Sequence, residues 1–276
     1  MKSKSNLSNI FTYVVLTVIS VFINIPLIAM IGTALKTNRA TMTTFTLFPR
    51  QFDISTFKTV LLESPFGINL INSLYIATTV TIACIIIASF AGYAISRFKG
   101  LFFSVYSILL LALQMIPRVL LLIPLFILFK HLNLIDTSLS VMISYTAIGL
   151  PFSTWMLKGF FDTIPISLEE SAMIDGCSRF QSYYKIVLPL AAPGIASVGI
   201  FTFILAWNEY LFASVFLRSE SNRTITIGLE RFVQQYSSQW AELMSASTLA
   251  TIPAIIILLF AQKYLIRGLT AGSVKG

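Results

Sequence analysis

Two side chains carry a full charge deep inside long apolar stretches, Arg118 and Glu209. An ionisable group in hydrocarbon costs roughly 2.5–3.5 kcal/mol on insertion scales. Each is therefore expected to face a bundle interior or cavity, or to reach back to the headgroups. Their opposite signs make them candidates to pair. Gln114, Trp155, Asn208 and Tyr210 add amide and aromatic groups, and with Arg118 and Glu209 they are the candidate lining of a polar and aromatic solute path. Glu209 alone also suits a proton relay, the reading in which the chain is an ion-coupled secondary transporter. Catalysis is not indicated by any metal-ligand spacing, nucleophile–base pair or cysteine–histidine constellation. His131, the sole histidine, sits beside Lys130 at a predicted helix end, and Cys84 and Cys177 read as free thiols. No Gly-x-x-x-x-Gly-Lys-Ser/Thr run cradles a phosphate, so the chain is not itself a P-loop ATPase, and no cofactor is expected on it.

The other informative stretch runs from Pro165 to Pro189. Its pattern predicts two short helices with a bend. Ser167 and Glu170 have the spacing of a capping box. Glu169 and Glu170 fall in the first turn, where negative charge suits the helix dipole. Gly176 suits the left-handed residue after a helix end. Ser178 is placed to cap the second helix and Pro189 to help stop it. Leu168 with Ala172, and Phe180 with Tyr184, share faces at i, i+4. Ser171 and Ala172 are small enough to let another protein approach the backbone, and the adjacent acids suit a basic partner. An amphipathic helix lying on the membrane is the competing reading.

The elements that hold these residues follow from composition. Hydrophobic residues make up 56% of the 276 and charged residues 11%, against about 25% charged in a soluble domain. Mean hydropathy is +0.84. The formal charge of +8 comes from sparse residues between apolar runs, which suits flanking charges at lipid headgroups rather than nucleic-acid binding. Six stretches meet the length of about 20 residues needed to cross a core of about 30 Å: 10–35, 69–96, 101–129, 137–157, 193–217 and 243–262. Barrel-like alternation is absent, so an all-α polytopic membrane protein of six transmembrane helices is expected, as one domain over 1–276. The first run exceeds a signal-peptide core and reads as a retained span. Lys2, Lys4, Arg97, Lys99, Lys263, Arg267 and Lys275 fall on one side, which the positive-inside rule makes the cytoplasm, with both termini there. The long outer loops carry Lys36, Arg39, Arg50, Lys58, Arg218, Arg223 and Arg231, so the bias is not clean. The segment 158–192 becomes one large cytoplasmic loop.

That loop resembles the "EAA" loop of binding-protein-dependent ABC importer permeases. The family pattern is Glu-Ala-Ala, three residues, Gly, nine residues, then Ile-x-Leu-Pro. This chain has Glu170-Ser171-Ala172, Gly176 and Ile186-Val187-Leu188-Pro189 at that spacing, departing only at Ser171. Trp207-Asn208-Glu209-Tyr210 and the tail from Arg267 to Gly276 look like the carbohydrate-uptake branch, specifically its maltose-type second permease subunit. The resemblance implies a coupling helix seated in a cleft of a cytoplasmic ATPase. Glu169, Glu170, Ser171, Ala172, Asp175, Gly176, Ile186, Leu188 and Pro189 would form it, with Gly272 and Lys275 of the tail reaching between the ATPase subunits. It further implies a sister permease in a heterodimer, two ATPase subunits or domains holding ATP and Mg, and an extracytoplasmic sugar-binding protein meeting the loop 218–242. The location implied is the cytoplasmic membrane of a bacterium. Within this family the alternative is a permease for a non-sugar solute.

Overall fold

The computed structural model describes residues 3–43, 46–233 and 239–271. Among them there is helix and no strand. In chain order the helices are α1 (Ser3–Ala34), α2 (Asn38–Thr43), α3 (Ser55–Lys58), α4 (Phe66–Arg97), α5 (Leu101–Gln114), α6 (Leu122–His131) and α7 (Ser138–Asp162). They continue as α8 (Ile166–Ile174), α9 (Arg179–Ser182), α10 (Leu188–Leu190), α11 (Ala192–Trp207), α12 (Leu211–Phe216), α13 (Ile225–Gly228) and α14 (Trp240–Ala271). A π-helical turn, Tyr183–Val187, joins α9 to α10.

Among the described residues, three stretches are long and apolar enough to cross a bilayer outright: Asn9–Ala34, Phe66–Arg97 and Trp240–Phe260. Two bent pairs bring the number to five. The span expected over 101–129 is built as α5 and a second helical segment, Arg118–His131, bent by 98°. Pro117 explains the break: it has no N–H to donate, and its ring pushes Ile116 out of the helical region. Pro124 is harmless, because it lies in the first turn of α6, where backbone N–H groups have no helical partner. The span expected over 193–217 likewise ends at Trp207, and the segment Arg179–Leu190 meets α11 at 73°. Pro189 thus does not stop the helix before it. α7 has the length to cross, with 25 residues. Its Ser140, Ser144, Ser153 and Thr154 lower its hydropathy, and all four are buried in protein rather than facing lipid. Ser140 and Ser144 donate to the carbonyls of Thr137 and Ser140, and Ser153 meets Thr202 of α11 at 3.1 Å.

The chain packs as two units. The first comprises residues 1–67 and 229–252. Most of α1 is exposed, whereas its end is tied down. A Cβ on Gly32 would lie 1.9 Å from the Leu47 carbonyl oxygen, so only glycine allows that chain crossing. Lys36 is buried with its ammonium on the Thr46 carbonyl. The Asn38 amide donates to Glu242 at 3.2 Å and accepts from the Ala241 N–H at 3.1 Å, capping α14 from outside that helix.

The second unit comprises residues 68–228 and 253–276, with α7 at its centre. Glycines set its helix approaches, as small residues do where helices pack in membranes. A Cβ on Gly92 of α4 would stand 3.0 Å from the Thr154 carbonyl oxygen and the Lys158 nitrogen of α7. One on Gly194 of α11 would enter the Phe160 ring, at 2.3 Å. Around these crossings Ala88, Tyr93, Leu157, Phe161, Tyr183 and Val187 form a buried cluster. At the opposite end of α7, Asp136 knots two segments. Its carboxylate accepts the N–H groups of Arg218 and Ser219, both at 2.9 Å, and the Ser219 hydroxyl.

Candidate functional site

The segment after α7 is built largely as its residue pattern predicts. α8 ends in a Schellman motif, in which the Cys177 N–H donates to the Ala172 carbonyl at 2.9 Å and the Gly176 N–H to Met173 at 3.1 Å. Gly176 has φ +90°, a conformation that favours glycine, and nothing crowds its missing Cβ. The demand at 176 is conformational, not steric. Ser178 caps α9 in a full capping box with Gln181, at 3.2 and 2.8 Å. The box expected at Ser167 and Glu170 is not formed. α8 begins two residues earlier, with Pro165 as N-cap and no side-chain cap. Pro165 presets that turn, and Ser167 falls inside the helix.

The two adjacent acids of α8 have opposite surroundings. Glu169 is 4% exposed, while Glu170 is exposed. Glu169 Oε1 accepts from Arg97 Nε at 2.5 Å, and Oε2 accepts from the Tyr93 hydroxyl at 2.5 Å. Both partners lie in the last turns of α4. The Arg97 guanidinium also donates to the Ile164 carbonyl and Ser96 Oγ, each at 3.0 Å. Ser96 in turn donates to Asp162 at 2.6 Å, which pairs with Lys158 at 2.5 Å. Glu169 is therefore occupied internally and does not face outward with Glu170, the docking role expected of it in the coupling helix. The outward face carries Glu170, Ser171, Asp175 and Gly176, with Ile174 86% exposed. Ala172 is buried, Ile186 and Leu188 are half-buried, and Pro189 is exposed. The tail residues Gly272 and Lys275 lie outside the described residues. Arg97 and Tyr93 were not anticipated in this site. Arg97 reads in sequence as one more flanking charge, and nothing local marks a partner 72 residues away.

The second site surrounds the break at Pro117. One cleft of about 380 Å³ is lined by Gln114, Arg118, Ser144, Phe152 and Phe201, among others. Another, of about 550 Å³, is lined by Arg118, Phe201, Asn208, Glu209 and Tyr210. Arg118 and Phe201 belong to both, so five of the six candidate path residues converge on adjoining space. Trp155 lines neither and is 46% exposed. Phe152 and Phe201 pack at 4.2 Å between ring centroids and supply the aromatic wall instead. Arg118 and Glu209 share a cleft without pairing. The Glu209 carboxylate is 7% exposed as a residue and accepts the N–H groups of Phe212, at 3.1 and 3.2 Å, and Ala213, at 3.3 Å. It caps α12 and meets the positive end of that helix.

An all-helical chain with membrane-length helices, a capped surface loop and a polar cleft at a helix break is the architecture of a solute permease. Residues 84–271 match the family described as the binding-protein-dependent transport system inner membrane component, and the chain belongs to that family. It is 34% identical to the sulfoquinovosyl glycerol transport system permease protein of Agrobacterium fabrum, over 91% of this chain and 88% of that one. It is 39% identical to the trehalose/maltose transport system permease protein of Thermococcus litoralis, over 74% of each. The maltodextrin transport system permease protein of Streptococcus pneumoniae is 32% identical over 100% of this chain and 99% of its own. A crystal structure of a bacterial ABC transporter that imports the acidic polysaccharide alginate has a chain of the same fold. Its TM-score is 0.82 at 21% identity, covering 96% of this chain and 98% of that one. Membership of this family displaces the ion-coupled secondary transporter.

Proposed function

We propose that the chain is the permease subunit of an ATP-driven, binding-protein-dependent sugar importer. The observation that carries this reading is the likeness, over 74% to 100% of the chain, to permeases named for maltodextrin, trehalose/maltose and sulfoquinovosyl glycerol transport. The cleft at Arg118 agrees with it, since paired aromatic rings and amide groups suit the faces and hydroxyls of a sugar. The chain forms half of the path, and a sister permease in a heterodimer closes the open side of the cleft. Six crossings with both termini in the cytoplasm put α8 on the cytoplasmic side. There its outward face, with Glu170, Ser171, Asp175 and Gly176, docks on one of two ATPase subunits, which hold ATP and Mg. Gly272 and Lys275 reach between those subunits. The sugar arrives on an extracytoplasmic binding protein that meets the segment 218–242.

The test is uptake of a radiolabelled sugar panel into proteoliposomes holding the assembled complex and its binding protein. Uptake is expected to require enclosed ATP and to survive a protonophore. Uptake that collapses with the proton gradient, or proceeds without ATP, sinks the reading.

A further inference from the structure

We propose that Arg97, Glu169 and Tyr93 form the joint that makes α8 move as one piece with the membrane-crossing helix α4. The proposal rests on the reading that α8 meets the ATPase. That reading leaves open how a displacement of a nine-residue surface helix reaches the membrane. α8 continues into α9 only through the bend at Gly176, and into α7 through a short turn, 163–165. Neither connection is continuous helix: one is the left-handed turn at Gly176 and the other the turn that ends at Pro165.

The side-chain joint is stiff. The Arg97 and Glu169 side chains are 6% and 5% exposed. Both carboxylate oxygens are engaged, one by Arg97 and one by Tyr93. The guanidinium stands 5.9 Å from the Tyr93 ring centroid, which closes a triangle of three contacts. Tyr93 is itself wedged against Tyr183 at 4.7 Å and Phe161 at 5.9 Å between centroids, so the triangle is anchored in the buried cluster. A buried, fully occupied ion pair resists separation, because pulling it apart strands two charges away from water. Sliding α8 along α4 requires that separation, whereas moving both together does not. Glu170, one residue on, faces outward. The two acids thus divide the work, with Glu170 toward the partner and Glu169 toward the chain's own interior. Glu169 and Arg97 are positioning residues in this scheme.

The experiment uses the full complex in nanodiscs, with Cys84 and Cys177 replaced by serine and spin labels at S167C and K99C, both exposed positions. In the otherwise native complex the distance between labels should stay a single narrow peak with and without MgATP. In Glu169→Gln and Arg97→Ala it should broaden or shift with MgATP, and ATP hydrolysis by the complex should fall roughly twofold to thirtyfold. Tyr93→Phe keeps the ring packing and removes one donor, so it reports the joint even if the charge variants assemble poorly. It should give a smaller broadening of the same kind. The reversed pair, Arg97→Glu with Glu169→Arg, should restore the narrow peak in part, which a loss of folding alone would not do. A narrow, nucleotide-independent distance in Tyr93→Phe and Glu169→Gln overturns the proposal and leaves ATPase docking intact. A label at residue 167 that shows no short distance to a label on the ATPase, with or without MgATP, overturns both.

Discussion

Glycines at 176 and 194 are required for different reasons, and substitution separates them. Gly176 sits in open space at φ +90°, so Gly176→Ala meets only the backbone penalty of about 1–2 kcal/mol for the left-handed region. Gly176→Pro also removes the N–H that closes the Schellman motif and demands φ near −65°. The proline variant is expected to reach the membrane in normal amount and to lose sugar uptake in vesicles, with the alanine variant between. Unchanged uptake by Gly176→Pro would refute a coupling role for this bend. At Gly194 the backbone is ordinary and the space is missing. Gly194→Ala drives a methyl into the Phe160 ring and should destabilise the protein by about 1–3 kcal/mol. The check is a thermal melt of the purified complex, and an unchanged melting temperature would mean that the ring moves aside at no cost. Gly176 was legible in the sequence because helix-end chemistry is local. Gly194 was not, since nothing near it in the chain names Phe160. The same division separates Glu170, whose surface role a motif conveys, from Glu169, whose buried partner is distant in sequence.

At the scale of elements, proline positions were legible and their geometric outcome was not. Pro117 interrupts the apolar run 101–129, but sequence does not say that the two halves turn by 98°. That angle decides the site, because it swings Arg118 to the junction of two clefts. Glu209 shows the converse. A lone acid in an apolar stretch reads as a working group, yet its carboxylate serves the first N–H groups of α12. The turn before α7 carries a measurable element-level signal. Burial opposes ionisation of Asp136, but hydrogen bonds from the Ser219 hydroxyl and the Ser219 and Arg218 N–H groups outweigh it and hold the pKa at about 2, below its ordinary 3.8. A carboxylate lowered in the folded state contributes stability above its unfolded pKa and loses it as pH falls through the folded value. Asp136→Asn should therefore lower the melting temperature by a constant amount down to about pH 4. That gap should shrink steadily as pH falls toward 2. A gap independent of pH throughout would show that the charge of Asp136 contributes nothing.

For the whole molecule, hydropathy identified the membrane protein and the presence of α1, α4 and α14, all three of which face outward over much of their surface. It misjudged what surrounds the centre. α7 is the most enclosed long helix of its unit, and its Ser140, Ser144 and Ser153 hydroxyls are satisfied there by a neighbour and by nearby backbone carbonyls. Such a helix is stable inside the finished protein and poorly suited to bare lipid, which has consequences while the chain is being made. Released sideways from a translocation channel as a single segment, α7 would carry the Ser153 hydroxyl into hydrocarbon without its Thr202 partner. It should insert less efficiently than α4 in a glycosylation-mapped assay with isolated segments, and recover when the downstream residues through Trp207 are added. Equal insertion of the two isolated helices would contradict this order of events. The central helix of the permease is thus expected to be a passenger during biogenesis, entering the bilayer with α11 rather than ahead of it.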